Sequence, residues 1–541
     1  MAKLYEKGVV YQIYPRSFCD SNGDGIGDLP GIISKLDYLK DLGIKILWLS
    51  PIYASPLMDL GYDVADYYKI HPDYGTMEDF DRLVKEAKDR DIRIVMDLVV
   101  NHTSDEHEWF IKSKDPSSPY HGYYYWRKGK GDRGELPPNN WSSQFSGPAW
   151  TYEESNGLWY LHLFSKKQPD LDWHNPKALE EVEAIINFYL NKGVYGFRCD
   201  VINQIYKESL EDGKGNATAG RGREHYLMTP GNHRILRTIH EDCFAKLEDS
   251  MMLGETFEVD IANGNAFLTN HELDMFFHFD LMELDKRMQG AFHKNVNPRE
   301  WKETAFKWMQ GVSWNANYLE NHDQLRSISR FGDPKNYWKE SGKMLAVFNL
   351  CLRGTGFVYE GQEIGMLNLP FRDPKNSKDC VSWMVGDALK KMHLPYFLIK
   401  RILNRLDRDH ARSPMQWKND VSAGFSTSEN TWIEVNQNYK TINVEDELKD
   451  PDSILNFYKK LIAYHNQSDL LCLGDFIPLE TTGNVIAWKR AYEGKELTVV
   501  LNFGKKKQKM PSFAVNKEPV ISNYEGPIGK VLRPYEAFIL E

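Results

Sequence analysis

The sequence predicts an α/β fold, a (β/α)₈ barrel with an inserted subdomain after strand 3 and a C-terminal antiparallel β-domain. Eight short β-branched or aromatic runs alternate with helix-like stretches, which is the order of a parallel barrel. A long stretch rich in Tyr, Trp, Pro and Gly separates the third run from the fourth. Past about residue 470 the pattern changes to short alternating runs, such as GNVIAWKRAY and KELTVVLNFG, which is typical of antiparallel strands.

The eight predicted strands are short apolar runs placed at intervals along most of the chain. They begin at Val9, Ile44, Ile92, Tyr195, Met251, Leu273, Trp314 and Gly356. Charged segments with helical period lie between them, for example from Met77 and from Ala178. This alternation predicts a TIM barrel.

The gap between the third and fourth strands marks an insertion. About ninety residues separate His102 from Tyr195, far more than one crossover helix needs. We therefore predict a barrel domain from residues 1–102 and 174–469, an inserted subdomain at 103–173 and a C-terminal β-sandwich at 470–541. The insertion is expected to overhang the mouth of the barrel.

Composition limits the partners and the location of the protein. The formal charge of −10 gives no general attraction to nucleic acid or to an anionic membrane, so we expect a neutral small-molecule substrate. No run approaches the ~20 apolar residues of a membrane span, and the start lacks a signal-peptide core. The six scattered cysteines show no ligand spacing, which indicates free thiols. We predict a cytoplasmic monomer with no organic cofactor.

Three carboxylates stand at the ends of separate predicted strands. Asp200 lies in GFRCDVIN, Glu255 in MMLGETFEV and Asp323 in YLENHDQ. The C-terminal ends of barrel strands meet around one pocket. Two carboxyl groups roughly 5 Å apart are what a retaining glycosidase needs, so the pattern points to glycosidic bond chemistry. Aromatic residues at 13% suit a carbohydrate pocket, although a large core alone would also use them.

The neighbours of two of these carboxylates predict different protonation states. Arg198 and Asp200 are two apart on a strand and face the same way, so we expect the guanidinium to lower the pKa of Asp200 and keep it ready as a nucleophile. Glu255 follows an apolar run, which raises the pKa of a general acid. The alternative for Arg198 and Asp200 is a buried structural ion pair.

Two histidines are predicted at the same rim. His102 closes VVNHTSD, and His322 directly precedes Asp323. Each imidazole is expected to donate a hydrogen bond to a sugar hydroxyl; the alternative is a structural histidine with protein partners.

The loop DSNGDGIGD has the alternating oxygen positions of a calcium loop. The candidate ligands are Asp20, Asn22, Asp24, the Ile26 carbonyl and Asp28. Gly31 stands where such a loop carries a bidentate Glu, so we predict a partial, structural Ca²⁺ site completed by water. The alternative is an Asx- and Gly-rich turn without an ion.

Several motifs in order resemble the α-amylase superfamily, glycoside hydrolase family 13, and within it the oligo-1,6-glucosidase group. The resemblance covers essentially the whole chain and includes VVYQIYPRSFCDSNGDGIGDLPGI, GYDVADY, DLVVNHTSDEHEWF, QPDLDWHNP, GFRCDVIN, ENHDQLRSISRFGD, YEGQEIGM and RDHARSPMQWKNDVSAGFS. It implies Asp200 as nucleophile, Glu255 as general acid/base and Asp323 as the carboxylate that holds sugar hydroxyls.

The same resemblance implies the substrate-binding residues. They are Tyr62, Asp63, His102, Phe145, Phe164, Gln168, Arg198, Val201, His322 and Arg412. Asp63 and Arg412 would clamp the non-reducing glucose, which makes the enzyme exo-acting. Val201, directly after the nucleophile, accompanies α-1,6 preference in these families.

The resemblance and the residues together predict an exo-acting α-glucosidase that releases glucose from isomaltose and short isomalto-oligosaccharides. Other linkages, sucrose isomerisation or transglucosylation, and a non-catalytic sugar-binding barrel are the rival functions. An RLDRD sequence at Arg405 to Asp409 resembles the isomerase motif but follows the NHD motif instead of preceding it. Arg221 and Arg223 suggest a phosphate reader, as in trehalose-6-phosphate hydrolase, or a solvated basic loop.

Overall fold

The fold is built on an eight-stranded parallel sheet, seen in a computed structural model that describes residues 2–216, 219–287, 292–515 and 517–541. The strands are β1 (Val10–Ile13), β2 (Ile46–Leu49), β3 (Arg93–Leu98), β4 (Gly196–Cys199), β5 (Met251–Glu255), β6 (Met275–Phe277), β7 (Ala316–Asn317) and β8 (Thr355–Tyr359). Their order in the sheet is β6-β5-β4-β3-β2-β1-β8-β7. All eight predicted strands and the barrel fold class are confirmed.

The sheet closes into a barrel where β6 meets β7. The ring of Phe277 on β6 packs edge-on against Tyr318, just after β7, with ring centroids 4.8 Å apart. The Tyr318 hydroxyl donates to the carbonyl oxygen of His278 at 3.2 Å. Since both faces of each strand are covered, the strands are almost entirely buried and read as continuous apolar runs.

Helices surround the barrel between successive strands. The longer ones are Leu36–Leu42, Met77–Lys88, Pro176–Asn191, Pro230–Ile239, Ile261–Thr269, Pro298–Gly311, Trp338–Cys351, Cys380–Lys391, Tyr396–Leu406 and Ile454–Gln467. The shorter ones are Leu4–Lys7, Pro15–Phe18, Leu29–Ser34, Glu108–Ser113, Asp280–Glu283, Ser327–Phe331, Asp409–Arg412, Val444–Lys449 and Asp469–Cys472. Both helices predicted from the sequence are present. Thr76 and Asp79 form a capping box that begins the helix at Met77, as this pairing favours.

The long segment between β3 and β4 carries its own sheet. The strands Trp126–Arg127, Leu158–Leu161 and Trp150–Glu153 are antiparallel in that order. A buried ion pair joins this segment to the barrel, with Lys207 Nζ 2.6 Å from Asp170 Oδ2 and both side chains fully buried. The insertion is thereby fixed beside the ends of β3 and β4.

The C-terminal part is an antiparallel sheet. Its strands are β9 (Asp475–Pro478), β10 (Val485–Tyr492), β11 (Lys495–Asn502), β12 (Ile521–Ser522) and β13 (Ala537–Leu540), in the order β9-β10-β11-β13-β12. Arg490 is fully buried and donates to carbonyl oxygens of Cys351, Leu352 and Gly474, which joins this sheet to the barrel. The exact domain boundaries stay predictions, and the short helix Asp469–Cys472 crosses the one at 469.

Candidate active site

Arg198 lies at the centre of the carboxylate cluster. Its Nη1 is 2.7 Å from Asp97 Oδ1 and 2.7 Å from Asp200 Oδ1, and its Nη2 is 2.7 Å from Glu255 Oε2. The sheet register produces this meeting, because Asp97 pairs with Arg198 across β3 and β4 and Gly254 pairs with Cys199 across β4 and β5. Asp200 and Glu255 therefore end adjacent strands at the same level, joined by one guanidinium.

The pKa predicted for Asp200 is wrong in direction. Burial raises the pKa of Asp200 to about 7, although Arg198 acts to lower it. Burial likewise raises the pKa of Glu255 to about 7, as predicted, and that of Asp97 to about 6. The reason is that one guanidinium is shared by three buried carboxyl groups, so it cannot offset the desolvation of all three. The cluster therefore holds exchangeable protons near neutral pH.

Asp97 is a site residue that the sequence interpretation missed. It is an acid inside the apolar run IRIVMDLVV, on β3, and its side chain is fully buried. A charged residue inside a buried strand normally has a partner, so this position carried a usable signal.

The residue after Asp200 has unusual backbone geometry. Val201 has φ 38° and ψ 38°, in the left-handed region that a β-branched residue rarely adopts. Its backbone N–H donates to Glu255 Oε2 at 3.2 Å. Such strain costs on the order of 1–3 kcal/mol and persists where the surroundings impose it. The Val201 backbone is thus fixed directly after Asp200 and against the Glu255 carboxyl group.

Asp323 is held by two guanidinium groups. Arg412 Nη2 lies 2.6 Å and Arg408 Nη1 3.0 Å from Asp323 Oδ1, and His322 Nε2 lies 3.4 Å from Oδ2. Burial opposes ionisation, but His322, Arg408 and Arg412 outweigh it and hold the pKa of Asp323 well below its usual range. Asp323 is therefore ionised near Asp200 and Glu255, two carboxyl groups whose pKa values are raised by burial.

The predicted clamp between Asp63 and Arg412 is not formed, which corrects the sequence-based prediction. Asp63 is fully buried and accepts hydrogen bonds from one side chain and two backbone N–H groups of its own loop. Burial raises the pKa of Asp63 to about 6. Instead, Arg408 Nη2 pairs with Asp59 Oδ1 at 3.0 Å. In both motifs the contact is made by the residue four positions earlier than predicted.

Arg408 links three carboxylates at one end of the pocket. Besides Asp59 and Asp323, it contacts Asp379 Oδ1 at 2.6 Å through Nη2. Arg408 is shared by the RLDRD and RDHAR sequences, so the segment that resembles an isomerase motif contributes to this site. The sequence-based prediction named Arg412 and not Arg408, and only the contacts in the structure identify Arg408.

The two predicted histidines are neutral and have protein partners. The Gln12 amide lies 2.8 Å from His322 Nδ1, which leaves the hydrogen on Nε2, 2.7 Å from the Tyr62 hydroxyl. Tyr62 in turn donates to Asp97 Oδ2 at 3.0 Å. Burial lowers the pKa of His322 to about 3 and also lowers that of His102. The tyrosine and the ring of His322 are stacked, with centroids 5.2 Å apart.

The remaining predicted substrate residues lie around His102. Its Nε2 is 2.9 Å from the Tyr62 carbonyl oxygen, and Gln168 Nε2 donates to the same oxygen at 3.0 Å. From the insertion, Phe164 packs 5.3 Å from the His102 ring and 5.4 Å from Phe145, centroid to centroid. The structure thus brings these residues to the same mouth of the barrel.

The predicted calcium loop is stabilised by its own hydrogen bonds. Asp20 accepts from three backbone N–H groups of the loop, while Asn22 and Asp24 each accept from the residue two positions later. Asp28 accepts from the backbone of Gly31 and so caps the next helix. In the part of the chain that the structure describes, no three His, Cys, Asp or Glu side chains converge on a metal position. The oxygen types fit a hard cation, and calcium stays a prediction.

Comparisons with known proteins agree with this geometry. The sequence profile of the alpha amylase catalytic domain matches residues 12–474. The oligo-1,6-glucosidase of Parageobacillus thermoglucosidasius is 44% identical over 557 residues, covering 98% of this chain and 98% of that protein. The glucan 1,6-alpha-glucosidase of Streptococcus pneumoniae is 40% identical, covering 100% and 99%. The crystal structure of Bacillus licheniformis trehalose-6-phosphate hydrolase is similar with a TM-score of 0.91 at 38% identity, covering 99% of each chain.

Proposed function

Because the chain belongs to the alpha-amylase family of glycoside hydrolases, we propose that it is a retaining, exo-acting α-glucosidase. It hydrolyses the α-1,6 bonds of isomaltose and short isomalto-oligosaccharides and releases glucose. The observation that carries this function is the single guanidinium of Arg198 in contact with both Asp200 and Glu255. Two carboxyl groups bonded to one guanidinium lie close together, which supports the separation of roughly 5 Å that a retaining mechanism needs.

The two carboxyl groups divide the chemistry. Asp200 attacks the anomeric carbon as Glu255 gives its proton to the glycosidic oxygen, so that the C–O bond breaks and a covalent glucosyl ester of Asp200 forms. Glu255 then takes a proton from water, whose oxygen displaces Asp200 and frees glucose. A Glu255 pKa raised to about 7 by burial supports both halves of this role.

Exo action is supported by the closed end of the pocket. Arg408 ties Asp59 to Asp323, and Arg412 holds Asp323 from a second direction. A glucose whose hydroxyls reach these groups has charge-assisted partners there, and the ion pairs among them close this end of the pocket to a further sugar in the proposed binding mode. Long chains then enter only by their non-reducing ends.

The α-1,6 preference is supported by Val201 and by the names of the relatives. The oligo-1,6-glucosidase and the glucan 1,6-alpha-glucosidase are similar over their full lengths. The strained backbone of Val201 is bonded to Glu255, the proposed acid that protonates the leaving group, so a change of the Val201 side chain is made close to that reaction. A methyl-sized difference there changes discrimination by ~1–3 kcal/mol, so the preference is quantitative and not absolute.

One assay tests the function. Glucose release is measured from isomaltose, maltose, trehalose 6-phosphate, sucrose and longer isomalto-oligosaccharides, with Asp200→Asn as the inactive control. We expect the highest kcat/KM on isomaltose and glucose as the first product from every longer chain. Faster cleavage of maltose or trehalose 6-phosphate, isomers of sucrose as the main product, or early release of internal oligosaccharides would each contradict part of this function.

We also propose a structural Ca²⁺ at the loop Asp20, Asn22, Asp24, Ile26 and Asp28, a cytoplasmic location and a monomeric state. The loop supplies hard oxygen donors that bond to its own backbone, so the ion contributes stability and not chemistry. All six cysteines are buried and unpaired, which suits a reducing compartment. No helix in the described ranges is long and apolar enough to cross a membrane. Light scattering of the purified protein measures its mass and tests the monomer.

A further inference from the structure

An ion pair lies on the acceptor side of the pocket, where the aglycone leaves. Glu258 stands three residues after Glu255 and pairs through Oε1 with Nη1 of Arg223, on the segment that follows β4. Their side chains are 46% and 33% exposed, so the pair lies at the solvent edge of the site. The closed glucose end, at Asp59 and Arg408, is formed by other segments of the chain.

The position of Arg223 is fixed by several contacts. Its guanidinium lies 5.6 Å from the ring centroid of Phe257, and its Nε donates to the Gly220 carbonyl oxygen at 3.0 Å. Asn203 holds Phe257 by two hydrogen bonds, from Nδ2 to the carbonyl oxygen at 2.7 Å and from the backbone N–H to Oδ1 at 3.2 Å. Arg223 is therefore bound to the same short segment that carries the proposed acid Glu255.

The backbone of Glu258 is strained. Its φ is 49°, in the left-handed region that is costly for a non-glycine residue. A glycine would adopt this conformation without that cost, but it would leave Arg223 without its carboxylate. The acidic side chain is thus present at a position where the backbone alone favours glycine.

Arg221 is a natural comparison on the same segment. Its backbone N–H donates to Ser142 Oγ at 2.7 Å, but among the described residues its side chain makes no ion pair. Two arginines of equal charge therefore stand two positions apart, and only Arg223 is neutralised.

We infer that Glu258 determines the charge of the aglycone that this enzyme accepts, by occupying Arg223. An unpaired guanidinium at this edge would bind a phosphate through two parallel hydrogen bonds. When the Arg223 guanidinium is paired with Glu258, the pair has no net charge, and the Glu258 carboxylate repels a phosphate on the aglycone. The acceptor side therefore selects uncharged sugars and disfavours 6-phosphorylated glucosides, a conclusion that rests on the proposed glucosidase function.

The test compares two ligands that differ only in one phosphate, trehalose and trehalose 6-phosphate. Each is used as a competitive inhibitor of p-nitrophenyl α-glucoside hydrolysis. A competing substrate inhibits with a Ki equal to its own KM, so the comparison holds whether or not either sugar is cleaved. The variants are Glu258→Gln, Glu258→Gly, Glu258→Gln with Arg223→Gln, and the matched control Glu258→Gln with Arg221→Gln.

We expect each Glu258 variant to lower the Ki of trehalose 6-phosphate, relative to that of trehalose, by about tenfold through one freed charge-assisted contact. Added Arg223→Gln should abolish this gain, added Arg221→Gln should leave it, and 0.5 M NaCl should reduce it because the site is exposed. An unchanged ratio in both Glu258 variants overturns the inference. So does a gain that survives Arg223→Gln or disappears with Arg221→Gln. Hydrolysis of isomaltose by the wild type is measured in a separate assay, and its absence would refute the proposed function and not this inference.

Discussion

Replacing Arg408 by Gln should disable the closed end of the pocket. Arg408 contacts Asp379 at 2.6 Å, Asp59 at 3.0 Å and Asp323 at 3.0 Å, and its side chain is 13% exposed. Among the described residues, the variant leaves Asp323 with Arg412 at 2.6 Å but leaves Asp59 and Asp379 without an ion-pair partner. Sequence motifs alone had assigned the clamp to Asp63 and Arg412, so this substitution tests the corrected site directly.

The expected magnitude follows from burial. Removing one partner of a buried ion pair costs about 3–5 kcal/mol, mainly because Asp379, which is fully buried, loses its cation. We expect the free energy of unfolding to fall by about that amount. Loss of two positioned contacts around the glucose should lower kcat/KM on isomaltose about a hundredfold, which equals ~2.7 kcal/mol of transition-state stabilisation.

The pH profile should change in a defined direction. In the wild type, positive neighbours hold the pKa of Asp323 below its usual range. Asp323 therefore stays ionised across that range and above it, and it is protonated only as pH falls through the lowered pKa. Without Arg408 this pKa rises toward its usual range, so Asp323 should begin to protonate at the acid end of the profile and kcat/KM should fall more steeply there than in the wild type.

The assay is urea unfolding together with kcat/KM on isomaltose from pH 4 to 9. Arg299→Gln is the matched control, because its partner Glu303 is also a carboxylate but both side chains are more than half exposed. We expect the control to change stability by less than about 1 kcal/mol. If Arg408→Gln keeps kcat/KM within threefold of wild type and unfolds at the same urea concentration, the assignment of the pocket end is wrong.

Three further predictions concern the reacting groups and the loop. Glu255→Gln should remove the alkaline limb of kcat/KM near pH 7, because the acid works only below its raised pKa, and a limb that persists would point to another acid. A dinitrophenyl α-glucoside, whose leaving group needs no protonation, should still form the covalent intermediate of this variant in a burst assay. Val201→Ala should narrow the kcat/KM ratio of isomaltose to maltose by raising maltose activity by up to about tenfold, and an unchanged ratio would refute the linkage argument. Exhaustive EGTA treatment should lower the Tm without changing kcat measured well below that Tm, and an unchanged Tm with no calcium in the purified protein would reduce the loop to a turn.

The sequence by itself determined the barrel and the meeting of three carboxylates. Strand periodicity and apolar runs locate the eight strands, and parallel strands bring their C-terminal ends to one mouth. That rule alone predicts that Asp200, Glu255 and Asp323 lie close together, and no measured distance is needed for this prediction. The predicted raised pKa of Glu255 also holds, because an apolar strand end is a buried one.

The tertiary structure decided which charged residues touch. Asp59 and Asp63, like Arg408 and Arg412, stand four positions apart in loop or short helical segments, where no repeating period sets the direction of a side chain. Folding turns Asp63 toward its own loop and leaves Asp59 for Arg408. The spacing in the sequence does not predict which aspartate pairs with which arginine.

The pKa of Asp200 could not be predicted from the sequence either. The pair Arg198 and Asp200 predicts a lowered pKa until burial and two further carboxyl groups, Asp97 and Glu255, are counted around the same guanidinium. A pKa depends on the desolvation of a group and on every charge near it, and these are set by residues far apart in the chain. The sequence therefore predicted which carboxylates meet at the pocket, and the folded arrangement decided where their protons and charges reside.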